Sequence, residues 1–152
     1  MTFLEAIKTC LVKYNIILGR ASRAEFWWFQ LVYIPLAIIL ILVFGIFYSW
    51  IVLGIIAFLG ILPFCSVMIR RLHDTNHSGY HLLFMLIVLF MISFFEPKSG
   101  AYYSRFFYLL ESGEYIALLV MLIFFSYSLF ILSWLITPGD KGKNKFGHSP
   151  QK

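Results

Sequence analysis

Long apolar runs, separated by short polar segments, divide the chain into four candidate membrane spans. The runs cover about residues 26–48, 51–69, 80–95 and 115–136. A helix of about 20 apolar residues crosses the hydrocarbon core of a bilayer, so the third run is short for a span. The pattern predicts an all-α membrane protein, a four-helix transmembrane bundle that forms one integral domain over residues 1–152.

The segment before the first run has the pattern of a short amphipathic helix over residues 2–15. Its large apolar side chains recur at helical spacing, as Phe3, Leu4, Ile7, Leu11 and Tyr14. Thr2 with Glu5, and Ser22 with Glu25, have the spacing of capping boxes and predict two helix starts. The short helix either lies among lipid headgroups or packs on the protein's own surface, and both interpretations stay open.

The composition agrees with a membrane protein. Hydrophobic residues make up 61% of the chain and charged residues 12%. Soluble domains are usually under half apolar and about a quarter charged. The surplus of apolar surface therefore has to face lipid. The two cysteines, Cys10 and Cys65, are expected at different depths, so we predict no disulfide.

Positive charge collects on one side of the predicted arrangement. Four spans place the N-terminus, residues 70–81 and the tail on the same side. That side holds ten of the twelve basic residues: Lys8, Lys13, Arg20, Arg23, Arg70, Arg71, Lys141, Lys143, Lys145 and Lys152. Only Lys98 and Arg105 lie on the other side. The positive-inside rule therefore predicts that both termini are cytoplasmic.

The main candidate site combines the polar segments that flank the first two spans. Because the two spans form a hairpin, we expect Arg20 or Arg23 to reach Asp74. We likewise expect Arg71 to reach Glu25. The cluster is either an ion-pair network that fixes the hairpin or a site for an anionic group, since its arginines outnumber its carboxylates and Arg suits phosphate. Its members are Arg20, Arg23, Glu25, Arg70, Arg71, His73 and Asp74.

The tail over residues 138–150 forms a second basic cluster. Its lysines, Lys141, Lys143 and Lys145, are expected to contact lipid, with about 1 kcal/mol of attraction each to an anionic leaflet. Asn144 and Gly147 favour a defined turn.

Three histidines, His73, His77 and His81, are spaced four residues apart. They would share one face of an unbroken helix, but Ser78 and Gly79 interrupt the helical pattern. Bare spacing is a weak signal, so we predict no metal site and no other cofactor.

These patterns favour a non-enzymatic membrane protein. No Asp, Glu, Lys, Arg or His lies at the centre of a predicted span, which argues against a proton-coupled carrier. No serine-hydrolase motif or nucleic-acid-binding module is present.

We expect the basic face to engage anionic lipid headgroups or an acidic protein partner, and a homo-oligomer or a subunit of a larger assembly stays open. The alternative is a small transporter or membrane enzyme that uses the loop from Arg70 to His81, with Asp74 and His73 as acid–base groups.

Three segments occur in order around the four runs: GRASRAEFWWF at residues 19–29, RRLHDTNHSGY at 70–80 and PGDKGKNKFG at 138–147. Together they resemble the YhaH/YhaI-like family of small bacterial inner-membrane proteins, a domain of unknown function. The chain has Asn76-His77 where that family carries Gly-Arg, and Tyr80 where it carries Trp. It also has Asp140-Lys141 where a Thr-Pro pair is common. The resemblance implies a bacterial inner membrane and no particular activity.

Overall fold

The computed structural model of the protein describes residues 1–46, 50–93 and 115–150. Within these ranges the chain is helical and has no strand beyond one isolated bridge. The helices are α1 (Phe3–Val12), α2 (Arg23–Ile46), α3 (Trp50–Asp74), α4 (Tyr80–Ser93) and α5 (Tyr115–Ile136). The predicted loop at 96–114, the junction at 47–49 and Lys152 lie outside the described residues.

Helix α1 begins at the first predicted capping box and packs through small side chains. The Thr2 backbone N–H donates to the Glu5 carboxylate at 2.8 Å, and the Thr2 hydroxyl accepts from the Glu5 N–H. The buried residues are Ala6 and Cys10, whereas Leu4 is 76% exposed. The small face contacts α2 and α3. The helix therefore docks on the protein and turns its large apolar stripe outward.

Helices α2 and α3 pack antiparallel over the part that the structure describes. The Tyr33 ring of α2 stacks on Phe64 of α3 at 5.3 Å between ring centroids. Gly60 makes this approach possible, because a Cβ at that position would lie 3.0 Å from the Tyr33 ring. At the other end of the contact, the Ala21 N–H donates to the Arg70 carbonyl at 2.9 Å. The start of α2 therefore lies beside the end of α3.

The chain divides into two compact units. The first comprises Met1–Gly79 with Leu135–Lys152, and the second comprises Tyr80–Trp134. Within the second unit, α4 and α5 meet through aromatic side chains. The His81 Nδ1 lies 2.6 Å from the Tyr127 hydroxyl, and the Trp134 ring also packs on His81.

Among the described residues, two helical stretches are long and apolar enough to cross a membrane, Arg23–Val43 and Leu119–Ile136. Helix α4 has 14 described residues. This is fewer than the roughly 20 that normally span the core, as its short apolar run already indicated. The structure thus supports a helical chain with two candidate membrane-spanning helices. The four-span bundle stays a prediction.

Candidate functional site

Buried charges concentrate in the first unit, where the start of α2, the end of α3 and the tail meet. The charged side chains there are Arg20, Glu25, Arg70, Arg71 and Asp74, none more than 7% exposed. Charged residues are rarely buried this fully unless they are paired. We call these five residues the arginine clasp.

Asp74 is the centre of the arginine clasp and accepts from two arginines. The Arg20 Nε donates to Asp74 Oδ1 at 2.9 Å, which is one of the expected pairings. The Arg71 Nη1 donates to the other oxygen, Oδ2. The expected pairing of Arg71 with Glu25 is wrong, because α3 continues through Asp74. On that helix Arg71 lies three residues before Asp74 and shares its face.

Glu25 pairs instead with Arg70, whose Nη1 donates to Glu25 Oε1. Consecutive helical residues point about 100° apart, so Arg70 faces α2 where Arg71 does not. The Glu25 N–H donates to the Ser22 hydroxyl at 3.1 Å, as the second capping box predicts, but the Glu25 carboxylate pairs with Arg70. Within the described residues, the Nε and Nη2 of Arg70 have no hydrogen-bond partner. This buried guanidinium depends on a single carboxylate.

The tail folds onto the arginine clasp through backbone carbonyl groups. The Arg20 Nη1 donates to the Gly142 carbonyl at 2.7 Å, and its Nη2 donates to that of Asp140. The Arg71 Nε donates to the Leu135 carbonyl at 3.0 Å. The last carbonyls of a helix lack intrahelical partners, so Arg71 satisfies one at the end of α5.

Two features of the tail fix its path. A Cβ at Gly139 would lie 1.9 Å from Asp74 Oδ2, so the backbone approaches that carboxylate as only glycine allows. The predicted turn is present: Asn144 and Gly147 exchange two backbone hydrogen bonds of 3.0 and 3.1 Å, and Gly147 has φ +127°. The Asn144 side chain also donates to the His73 carbonyl at 2.9 Å, which caps the end of α3.

His73 has a packing role beside the arginine clasp. Its Nδ1 lies 3.1 Å from the Gly19 carbonyl, and its ring stacks on Phe146 at 3.9 Å between centroids. A carbonyl only accepts, so Nδ1 carries a hydrogen. Burial lowers the pKa of His73, the hydrogen bond to Gly19 opposes that shift, and the charge of Lys145 adds to it. The structure therefore favours a neutral imidazole.

The other two histidines have different surroundings. The His77 Nδ1 lies 3.2 Å from the Thr75 hydroxyl, and His81 contacts Tyr127 in the second unit. Helix α3 ends at Asp74, so the three histidines share no helical face. Within the described residues, no three His, Cys, Asp or Glu side chains are grouped to hold a metal ion.

Cys10 connects α1 to the arginine clasp. Its Sγ lies 3.8 Å from the Glu25 carbonyl and 3.9 Å from the Glu25 carboxylate. Burial raises the pKa of the Cys10 thiol to about 12, and the negative charge of Glu25 adds to that shift. The thiol therefore stays protonated and donates. Both Cys10 and Cys65 are free, as predicted.

The three segments that carried the family resemblance thus meet at one site, and the comparison with known families covers all of them. Residues 14–148 match the family described as "Protein of unknown function (DUF805)". The chain belongs to this family. No curated protein and no solved structure matches it. The family description assigns no activity to a DUF805 protein, and the narrower YhaH/YhaI-like name stays a prediction.

In this DUF805 protein, Arg23 takes no part in the described hydrogen bonds and ion pairs of the arginine clasp. It is the first residue of α2 and is exposed. It lines two pockets of about 490 and 590 Å³, both within the first unit. The other exposed cations of this unit's described residues are Lys8, Lys13, Lys141, Lys143 and Lys145. Arg23 and these lysines remain open to an external anion.

Sequence reasoning placed six of its seven candidate residues together in the DUF805 site and missed several that support them. Gly139 is not among the predicted site residues, and no local pattern marks its contact with Asp74. Ser66 was not assigned a role, yet its hydroxyl lies 2.8 and 2.7 Å from the carbonyl oxygens of Lys13 and Ile16. No periodic signal distinguishes such a serine from an ordinary packing residue.

Proposed function

We propose that this DUF805 protein is a non-enzymatic, multi-pass protein of the bacterial inner membrane whose basic cytoplasmic face engages anionic lipid headgroups. Support for membrane integration comes from α2 and α5, where large apolar side chains are exposed over the described lengths. Examples are Leu31, Ile34 and Ile41 on α2, and Ile123 and Phe125 on α5, each at least half exposed. Exposure of this much apolar surface is unfavourable in water, whereas contact with lipid tails is favourable.

The observation that carries the lipid proposal is the sorting of charge between the interior and the surface. In the arginine clasp, buried arginines face buried carboxylates and carbonyl groups. Outside it, the described residues of the first unit expose six cations, Arg23 and the five lysines, against two carboxylates, Glu5 and Asp140. The surface therefore has a net charge of +4, against +1 for the three arginines and two carboxylates of the arginine clasp, and an anionic leaflet attracts the surface charge.

The outward stripe of α1 adds an apolar contact to this attraction. Leu4, Leu11 and Val12 are exposed, and so is the neighbouring Lys8. A helix that buries its small side chains in protein and exposes leucine beside lysine suits the boundary between headgroups and acyl chains. Packing on the protein and contact with lipid headgroups, the two interpretations of α1 from the sequence, are thus compatible in one arrangement. In that arrangement α1 is docked on the protein at the membrane surface.

Labelling of single cysteines with a membrane-impermeant maleimide tests the proposed topology. Lys143→Cys in the tail and Ser99→Cys in the 96–114 loop are expected to react from opposite sides of the inner membrane. Tail labelling should require permeabilised cells, and loop labelling should not. The parent chain, with Cys10 buried, supplies the background. Labelling of both positions from the same side would refute the four-span arrangement.

Thermal unfolding in lipid-doped detergent tests the lipid proposal. Phosphatidylglycerol should raise the melting temperature more than phosphatidylcholine does, and salt should reduce the difference because the attraction is screened. Changing Lys141, Lys143 and Lys145 together to Gln should remove most of the difference. Equal stabilisation by both lipids would contradict the proposal and favour an acidic protein partner as the anion.

The rival proposal, a transporter or enzyme that uses the loop from Arg70 to His81, has less support. It requires Asp74 and His73 as acid–base groups. The Asp74 carboxylate accepts from Arg20 and Arg71, and His73 is stacked on Phe146. Neither side chain is arranged to exchange protons with a substrate.

A further inference from the structure

Two open pockets of the first unit meet at the start of α2. One of about 490 Å³ has a polar wall that includes Ser22, Arg23 and Lys141. The other, of about 590 Å³, has an apolar wall that includes Trp27, Leu31 and Ile136. Arg23 and Ala24 line both pockets. The two volumes are therefore neighbours along one groove, polar at one end and apolar at the other.

The polar end carries net positive charge. Arg23 and Lys141 contribute two cations, and both are exposed. Asp74 also lines this pocket, but its carboxylate is already paired with Arg20 and Arg71. Asp140 contributes the remaining negative charge, and its carboxylate accepts from Asn144 at 3.3 Å. One cation is thus left uncompensated, and an arginine fork beside an ammonium group suits a phosphate.

The apolar end continues from the same arginine along α2. Arg23, Trp27 and Leu31 are spaced four residues apart, so they lie along one helical face. Trp27 is 40% exposed and Leu31 is 60% exposed. Ile136, the last residue of α5, contributes to the lining. A groove with exposed tryptophan and leucine beside a cation has the features of a headgroup boundary.

We propose that this groove binds one anionic phospholipid, with its phosphate at Arg23 and Lys141 and an acyl chain along Trp27, Leu31 and Ile136. The inference rests on the proposed function and makes it specific, from a diffuse basic surface to a discrete site. Charge complementarity selects an anionic headgroup. The adjoining apolar groove selects a lipid over a soluble phosphate, because a soluble anion has no apolar part to fill it.

The arginine clasp does not compete for this lipid. Arg20 and Arg71 already donate to Asp74 and to tail carbonyls, and Arg70 pairs with Glu25. Arg23 is then the arginine of the cluster that reaches an external phosphate. A surface lysine outside both pockets and outside the tail, Lys13, provides a matched control for loss of one charge.

Native mass spectrometry of the full chain, extracted in mild detergent, tests the site. The probes are phosphatidylglycerol, phosphatidylcholine and inorganic phosphate. We expect one tightly retained phosphatidylglycerol per chain, and about tenfold weaker retention in Arg23→Gln, since a charge-assisted hydrogen bond of this kind contributes roughly 1.4 kcal/mol or more. Leu31→Asn should weaken retention as well, Lys13→Gln should not, and millimolar inorganic phosphate should not displace the lipid. The melting temperature of each variant shows that it is folded.

Four outcomes would overturn the inference. Unchanged retention in Arg23→Gln would remove the headgroup site. An equal loss in Lys13→Gln would mean diffuse attraction, so that the proposed function survives without a discrete site. Displacement by inorganic phosphate, together with full retention in Leu31→Asn, would leave an anion site that takes no acyl chain. Failure of phosphatidylglycerol to bind any variant or the parent would reject the proposed function as well.

Discussion

Arg20 and Arg23 are three residues apart in one polar segment, and the structure uses them in opposite ways. Arg20 is 7% exposed and donates to the Asp74 carboxylate and to carbonyls of the tail. Arg23 is the first residue of α2, is exposed and lines the groove. The position of each arginine relative to the start of α2 therefore decides its role. Arg20 precedes the start of α2 and reaches across to Asp74 of α3. Arg23 is inside the helix and lies on the face of α2 that lines the groove.

The largest loss of stability is expected when the carboxylate at the centre of the arginine clasp is removed. Asp74→Asn leaves Arg20 and Arg71 buried without their carboxylate, and breaking a buried pair in this way typically costs about 3–5 kcal/mol. We expect that loss in the free energy of unfolding of the detergent-solubilised protein. The control Asp140→Asn, at an exposed carboxylate, should change it by less than about 0.5 kcal/mol. Similar losses in both variants would mean that the pairing contributes little.

The next effect concerns the approach of the tail to Asp74. In Gly139→Ala the new Cβ would lie 1.9 Å from Asp74 Oδ2, so the tail or the carboxylate must shift. Overpacking of this kind costs about 1–3 kcal/mol, which unfolding measurements should detect. In an Asp74→Ala background the carboxylate is gone, and Gly139→Ala should then cost less than half as much. Additive losses in the double variant would contradict the proposed contact.

A smaller effect is expected on the pH dependence of stability, through His73 beside the arginine clasp. Burial lowers the pKa of His73 in the folded protein, so the fold prefers the neutral ring. The unfolded chain binds a proton near pH 6.5, the ordinary value for histidine. Stability from this group is therefore complete above about pH 6.5 and falls as the pH drops toward the lowered pKa. Unfolding followed from pH 8 to pH 5 should show a shallower pH slope in His73→Gln, and an unchanged slope would exclude His73 as its source.

The sequence predicted the helices better than it predicted the partners of their charges. Capping boxes located the starts of α1 and α2, because a cap is a local feature of three or four residues. The pairing of Arg71 was wrong, since it depends on how far α3 continues and which of two consecutive arginines faces α2. Gly139 and Ser66 were missed for a similar reason. Their contacts join segments more than 45 residues apart, and no local pattern marks them.

We expect that the buried arginines stabilise the site and that Arg23 does not. Parallel thermal and chemical unfolding of Arg20→Gln and Arg23→Gln in the same lipid-free detergent tests it most directly, because the two substitutions remove the same group from one segment. Arg20→Gln should lower the free energy of unfolding by about 3 kcal/mol or more, since Asp74 loses one of its two arginine donors and three tail carbonyls lose the donor that Arg20 provides. Arg23→Gln should leave it within about 0.5 kcal/mol of the parent. Equal losses in the two variants would contradict the division of roles.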